Sequence, residues 1–106
     1  MAAIDARARA VTATARARLG KDFQFRQHLV YLKARNSIVY FIEYYNIPQD
    51  KSVILILQNN TYTSDYDEEW IQLTEVIPEV EGYVKRGYEL LTPDYKKYIS
   101  HDYDSE

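Results

Sequence analysis

The sequence predicts an α+β domain: an N-terminal helix, a three-stranded, mostly antiparallel sheet over about 22–58, and C-terminal helices over about 65–99 packed on one sheet face. Three observations predict it. Residues 6–18, ARARAVTATARAR, hold six of the nine alanines, and alanine has the highest helix propensity. Residues 22–57 contain three runs dense in β-branched and aromatic types, bounded by turn-forming residues. Trp70, Leu73, Ile77, Val80, Val84, Gly87 and Leu91 recur at alternating spacings of three and four, the pattern of an amphipathic helix. The rival to this class is an all-α chain in which 24–45 forms one long helix, because Ile38, Phe41, Ile42 and Tyr45 also fit helical spacing.

Taken in order, the first element is a helix over 3–19. On a helical projection Ile4, Ala8, Val11, Ala15 and Leu19 gather on one side. Arg7 and Arg18 lie at one edge of that stripe, and Arg9 and Arg16 lie past the other edge. The arginines therefore form two ridges with an apolar stripe between them. Gly20 is a natural stop, since it takes the left-handed cap conformation without a steric cost. A helix of this length is marginal in water by itself, so its order depends on docking.

DFQFRQHLVYL at 22–32 and SIVYFIEYY at 37–45 then read as a hairpin, with ARNS as the turn. IPQDK makes the next turn, because Pro48 fixes its own backbone and Asp50 can bond locally. VILIL at 53–57 is an unbroken apolar run, which suits a central strand covered on both faces. QNNTYTS is a polar loop. Ser64 or Asp65 can cap the helix that the Trp70–Leu91 stripe predicts, and Asp67, Glu68 and Glu69 favour its positive end. Pro78 lacks the donor a helix interior needs, so that segment is one helix kinked near Val76 or two helices meeting there. Thr92, Pro93 and Asp94 open a last short helix, and the tail HDYDSE is polar and frayed. The organisation is thus a basic helix or arm over 1–20 and a single small domain over 21–106 with an acidic C-terminal half.

Charge is strongly uneven along the chain. Residues 1–61 carry nine Lys and Arg against four acids, and residues 62–106 carry twelve acids against four Lys and Arg. Such polarity steers association, including between copies. The eleven tyrosines offer apolar rings with polar tips, a composition enriched at interfaces. There is no Cys, which excludes disulfides, thiolate metal sites and Cys nucleophiles. No apolar run approaches the ~18 residues of a membrane-spanning helix. An intracellular, cytoplasmic location is expected. The Arg-rich, acid-poor start also resembles a mitochondrial or plastid transit segment, against which stand Asp5 and the absence of serine there.

Chemistry-bearing constellations are sparse. His28 and His101 have no partner at ligand spacing, and DYDEE at 65–69 lacks the glycine and spacing of a calcium loop. Gly20, Gly82 and Gly87 are too far apart for a phosphate-binding loop. Asp67 and Glu69 form a carboxylate pair, but acids at the start of a helix are ordinary. No catalytic residue, metal site, cofactor or small-molecule substrate is therefore expected. The functional expectation is a non-enzymatic protein–protein interaction or assembly subunit, with a protein partner or a homo-oligomer. The expected contact residues are Arg7, Arg9, Val11, Arg16 and Arg18 of the basic helix, with Tyr44 and Tyr45. The alternative is a nucleic-acid binder that uses the Arg-rich arm, and a further one is an acidic inhibitor that mimics nucleic acid.

Overall fold

In the computed structural model, residues 19–63 and 65–104 are described, with side chains through Ile99. Four long strands run as an antiparallel meander: β1 (Phe23–Ala34), β2 (Ser37–Asn46), β3 (Lys51–Asn60) and β4 (Tyr66–Gln72). A 3-10 turn at Leu73–Glu75 leads into helix α1 (Val76–Lys85). The chain then returns to the far edge of the sheet as the two-residue strand β5 (Glu89–Leu90) and ends in helix α2 (Tyr95–Asp104). The strand order is β4-β3-β2-β1-β5.

The fold expected from the sequence is corrected here. The sheet has five strands, not three, and the helical segment begins at Val76, not near residue 65. The N-terminal helix expected over 3–19 lies outside the described residues except for Leu19. The error at 65–75 has a physical cause. β3 is apolar on both faces and needs a strand on each edge, and YDEEWIQ supplies the second one. Its register sets Ile54 beside Ile71 and Leu55 beside Trp70, so Trp70 and Ile71 point to opposite faces. Strand pairing outweighs local spacing when the pairing partner is buried. Asp65, expected as a helix cap, instead closes the loop before β4, its carbonyl accepting from the Asn60 N–H at 2.8 Å.

Removing Trp70 and Leu73 from the helix also changes its buried side. The residues of α1 that are buried are Val76, Val80 and Tyr83, while Val84, assigned to the stripe by spacing, is 45% exposed. Pro78 falls in the first turn of α1, where its missing N–H costs nothing, so neither a kink nor a helix pair is required. Gly87 is not part of a stripe but the end of the helix. Its N–H bonds the Val84 carbonyl at 3.0 Å and the Tyr88 N–H bonds the Tyr83 carbonyl at 3.1 Å, with Gly87 at φ 102°. This is a Schellman closure, which needs a left-handed residue at that position. Thr92 also plays a different part: its hydroxyl accepts from the Tyr31 N–H of β1 at 3.0 Å, tying the approach to α2 onto the sheet edge. α2 runs through His101 to Asp104, so that part of the tail expected to fray is helical.

The sheet separates two apolar clusters. On the first face Leu29, Val30, Leu32, Val39, Phe41, Ile54, Ile56 and Ile71 meet α1 and α2 through Val76, Val80, Tyr83, Tyr95 and Ile99. Phe41 meets the Tyr83 ring edge to face at 6.1 Å. The second face holds Tyr40, Ile42, Tyr44, Leu55 and Leu57, with Leu19, Phe23, Tyr31, Ile38, Val53 and Trp70 around them. Burial pushes the Tyr83 phenol above its ordinary pKa, against the lowering effect of Arg86 beside it; burial and then the Glu81 charge do the same at Tyr95.

Two tests follow from the helical layer. Gly82 lies inside α1 with nothing near the place a Cβ would occupy, so Gly82→Ala should stabilise by roughly 0.5–1 kcal/mol. Gly87 has equal space but a left-handed backbone, so Gly87→Ala should destabilise by about 1–2 kcal/mol. Urea denaturation of the two variants checks the opposite signs. The raised Tyr83 and Tyr95 values mean that the folded chain holds these protons more tightly than the unfolded chain. Their contribution is therefore complete below the ordinary tyrosine range and is lost as pH rises through and above about 10. Denaturation midpoints across alkaline pH should fall less steeply in the double variant Tyr83→Phe, Tyr95→Phe.

Candidate interaction face

The second sheet face is floored by aromatic rings. Register places Phe23, Phe25, His28 and Tyr31 of β1 on this side, with Tyr40, Ile42 and Tyr44 of β2. β3 adds Val53, Leu55 and Leu57, and β4 adds Tyr66, Glu68 and Trp70. Phe25 approaches His28 at 5.1 Å and Tyr44 at 6.3 Å, both edge to face. Tyr44 in turn lies 5.8 Å from Trp70, and Tyr31 lies 5.5 Å from Tyr40. A belt of rings thus crosses the sheet from β1 to β4 above the aliphatic side chains of β3. Edge-to-face and tilted contacts at these distances are the favourable geometries for aromatic pairs.

This face carries one acid, Glu68, on its β4 side. β4 is an edge strand carrying Asp67, Glu68 and Glu69, and Glu68 stands on the second face opposite Leu57. Asp67 and Glu69, the carboxylate pair noted in the sequence, share the other face of that exposed strand. Charges on an edge strand also discourage its pairing with a foreign strand. Of the residues expected to contact a partner, Tyr44 is fully buried in this face. Tyr45 points the other way, towards the Glu43 side, and its hydroxyl bonds the Asp50 carboxylate. Arg7, Arg9, Val11, Arg16 and Arg18 lie outside the described residues. His28 is exposed at the β1 edge.

At one end of the sheet, on the side of the helices, lies a polar cleft of about 380 Å³ lined by Arg26, Tyr45, Asp50, Lys51, Ser52, Gln72, Leu73 and Thr74. Behind it Glu43 is buried, 2% exposed. Its carboxylate accepts from Gln27 Nε2 and Ser52 Oγ, each at 2.6 Å, and from Arg26 at 3.3 Å. Adjacent residues of a regular strand point to opposite faces. Arg26 and Gln27 nevertheless reach the same carboxylate, because the β1–β2 register shifts between Phe25 and Gln27. The bulge inserts Arg26 as an extra residue and turns both side chains to one side. Arg26 also lies 5.0 Å over the Tyr45 ring. The carboxylate is saturated by donors from β1 and β3, so it acts as a pin between three strands. Sequence reasoning missed this set. The available signal was a single acid, Glu43, inside the apolar run SIVYFIEYY, since a buried charge must recruit partners.

A second polar set lies near the β1–β2 turn. Tyr88 Oη donates to Ser37 Oγ at 3.0 Å, and Gln58 Nε2 reaches both, at 3.3 Å to Ser37 and 3.1 Å to Tyr88. It joins β2 and β3 to the segment that follows α1 and contains no base to activate the serine. Among the described residues no group of three or more His, Asp or Glu is placed to hold a metal ion, and no helix is long and apolar enough to cross a membrane. No family model, curated protein or solved structure matches the chain.

The Glu43 pin gives a direct test. Glu43→Ala removes the acceptor of three side-chain donors, two of which, Gln27 and Ser52, are half-buried, and should cost about 2–3 kcal/mol. Glu43→Gln keeps one acceptor oxygen but loses the charge paired with Arg26, so it should cost less. Because Arg26 is 45% exposed, Arg26→Ala should cost about 1 kcal/mol or less. Thermal or chemical denaturation of the three variants checks that order.

Proposed function

We propose that the protein is a non-enzymatic interaction or assembly subunit whose docking element is the basic segment ending at Leu19. The observation that carries this reading is where that segment meets the fold. Leu19 packs into the second cluster, at the edge of the aromatic face. The chain therefore owns both halves of a helix-in-groove contact. One half is the apolar stripe of Ile4, Val11 and Leu19 between two arginine ridges that helical spacing of the sequence predicts. The other is a broad aromatic floor with Glu68 at its β4 edge. Recognition of an amphipathic helix works through such anchors at i, i+3, i+4 and i+7. Arginine ridges on both sides of the stripe suit a groove with acids at its rim better than a phosphate backbone on one side. The partner is a protein that presents such a groove, a second copy of this chain being the simplest case.

The test measures mass by light scattering for the full chain and for the variant in which Arg7, Arg9, Arg16 and Arg18 are alanine. The expected result is a species well above the 12.5 kDa of one chain, or a defined complex with a captured partner, that is lost in the variant. A monomer at every concentration that captures no protein overturns the reading. Capture of nucleic acid, with affinity falling steeply as salt rises, replaces it with the nucleic-acid alternative.

A further inference from the structure

We infer that the groove between α1 and α2 is a binding site for an aliphatic carboxylate, a single acid head on an apolar tail. The groove measures about 450 Å³, within the range of small-molecule sites. Its apolar lining is Val80 and Val84 of α1, Leu90 of β5 and Pro93. Val80 and Val84 are one turn apart and so share a side of their helix. Val80 is buried in the helix-side core, whereas Val84 is exposed. The groove therefore opens from the core to the surface. Val84, which spacing assigns to a buried stripe, is its outer wall. An apolar side chain in that position is stabilised only when something apolar lies against it.

The polar groups around the groove select an acid. Tyr95, the first residue of α2, is 3% exposed and lines the groove. Its hydroxyl makes no hydrogen bond among the described residues. Burial, and then the Glu81 charge, keep the phenol protonated, so it is a donor. A buried donor without an acceptor is costly, and an acceptor is what the groove lacks. Lys85 of α1 and Lys96 of α2 line it as well, and neither forms an ion pair among the described residues. They are two of only four Lys and Arg in residues 62–106, against twelve acids. Half of the cations of an acidic region thus border one apolar groove, which fits an acceptor that is also an anion.

The charge and size of the ligand follow from the same lining. Glu81 stands among these residues, so two cations and one acid leave a single positive charge in excess, which one carboxylate balances. A protein partner needs far more surface. Its interface takes roughly 20–30 residues a side, whereas the described lining comes only from α1, β5, Pro93 and the start of α2. An aliphatic tail fits the remainder, because each methylene buried against Val84 and Leu90 tightens binding. The site uses none of the residues that carry the assembly reading, so either can fail alone.

Titration calorimetry of the full chain with decanoate, below its micellar concentration, tests the site. One saturable site is expected. Its affinity should fall about tenfold in Tyr95→Phe and about two- to fivefold in Lys96→Gln. Glu81→Gln should instead tighten it by about two- to fivefold, because that charge opposes the ligand's own. Octanoate, with a shorter tail, should bind several-fold more weakly. Decyltrimethylammonium has the same tail and the opposite charge, and should show no saturable binding. Failure of decanoate to saturate overturns the inference, and so does an affinity that is the same in all three variants. Equal binding of decyltrimethylammonium overturns it too, because that outcome reflects apolar surface alone. If Tyr95→Phe perturbs the fold, the opposite signs of Lys96→Gln and Glu81→Gln still decide.

Discussion

The structure depends on one constraint: β2 and β3 are apolar on both sides. Val39, Phe41, Ile54 and Ile56 point one way, and Tyr40, Ile42, Tyr44, Leu55 and Leu57 point the other. A sheet of this kind is stable only when both of its faces and both edges of its central pair are covered. Every other element answers one of those demands. β1 and β4 cover the edges of the β2–β3 pair, α1 and α2 cover one face, and β5 closes the outer side of β1 only at Leu32 and Lys33. The remaining face accounts for the aromatic belt and for the burial beneath it.

The same constraint explains which parts of the fold were legible. Strong alternation and β-branched density between residues 22 and 58 mark strands, because the pleat writes a period of two into the sequence wherever one face differs from the other. β4 was not legible. Three of its seven residues are acidic, and Trp70 falls by coincidence in phase with the stripe that continues through Ile77 and Val80. What decides its conformation is the unpaired edge of β3, a contact made across the loop at 61–65 that local spacing cannot reveal. The true helix could have been placed by Pro78 and Gly87 together. Proline is tolerated in a first turn and glycine just beyond a last one, which brackets Val76–Lys85. β5 is two residues long and carries no pattern at all.

The sites divide in a similar way. The arginine-bearing stripe is visible in the text because helical geometry is local. The aromatic face is not visible there, since Phe25, Tyr44 and Trp70 come from three strands and meet only through register. Glu43 was in plain view as a lone acid among apolar residues. Its donors were not, because Arg26 and Gln27 share it only through a bulge. Bulges add one residue without leaving a compositional mark.

That bulge links the two ends of the architecture. By turning Arg26 and Gln27 to the side of Glu43, it resets the phase of β1, and a second shift between His28 and Val30 does so again. Between them the strand presents Phe25 and His28 to the aromatic face, while Leu29 and Val30 both enter the helix-side core. Without the first shift, regular alternation would carry Phe25 and Gln27 to the same face, placing a polar side chain beside Tyr44. The polar cleft and the aromatic face are therefore not independent features. The hydrogen bonds on Glu43 hold the register that lets β1 place apolar residues on both faces, and the aromatic floor exists because a buried carboxylate on the other side keeps the strand from slipping.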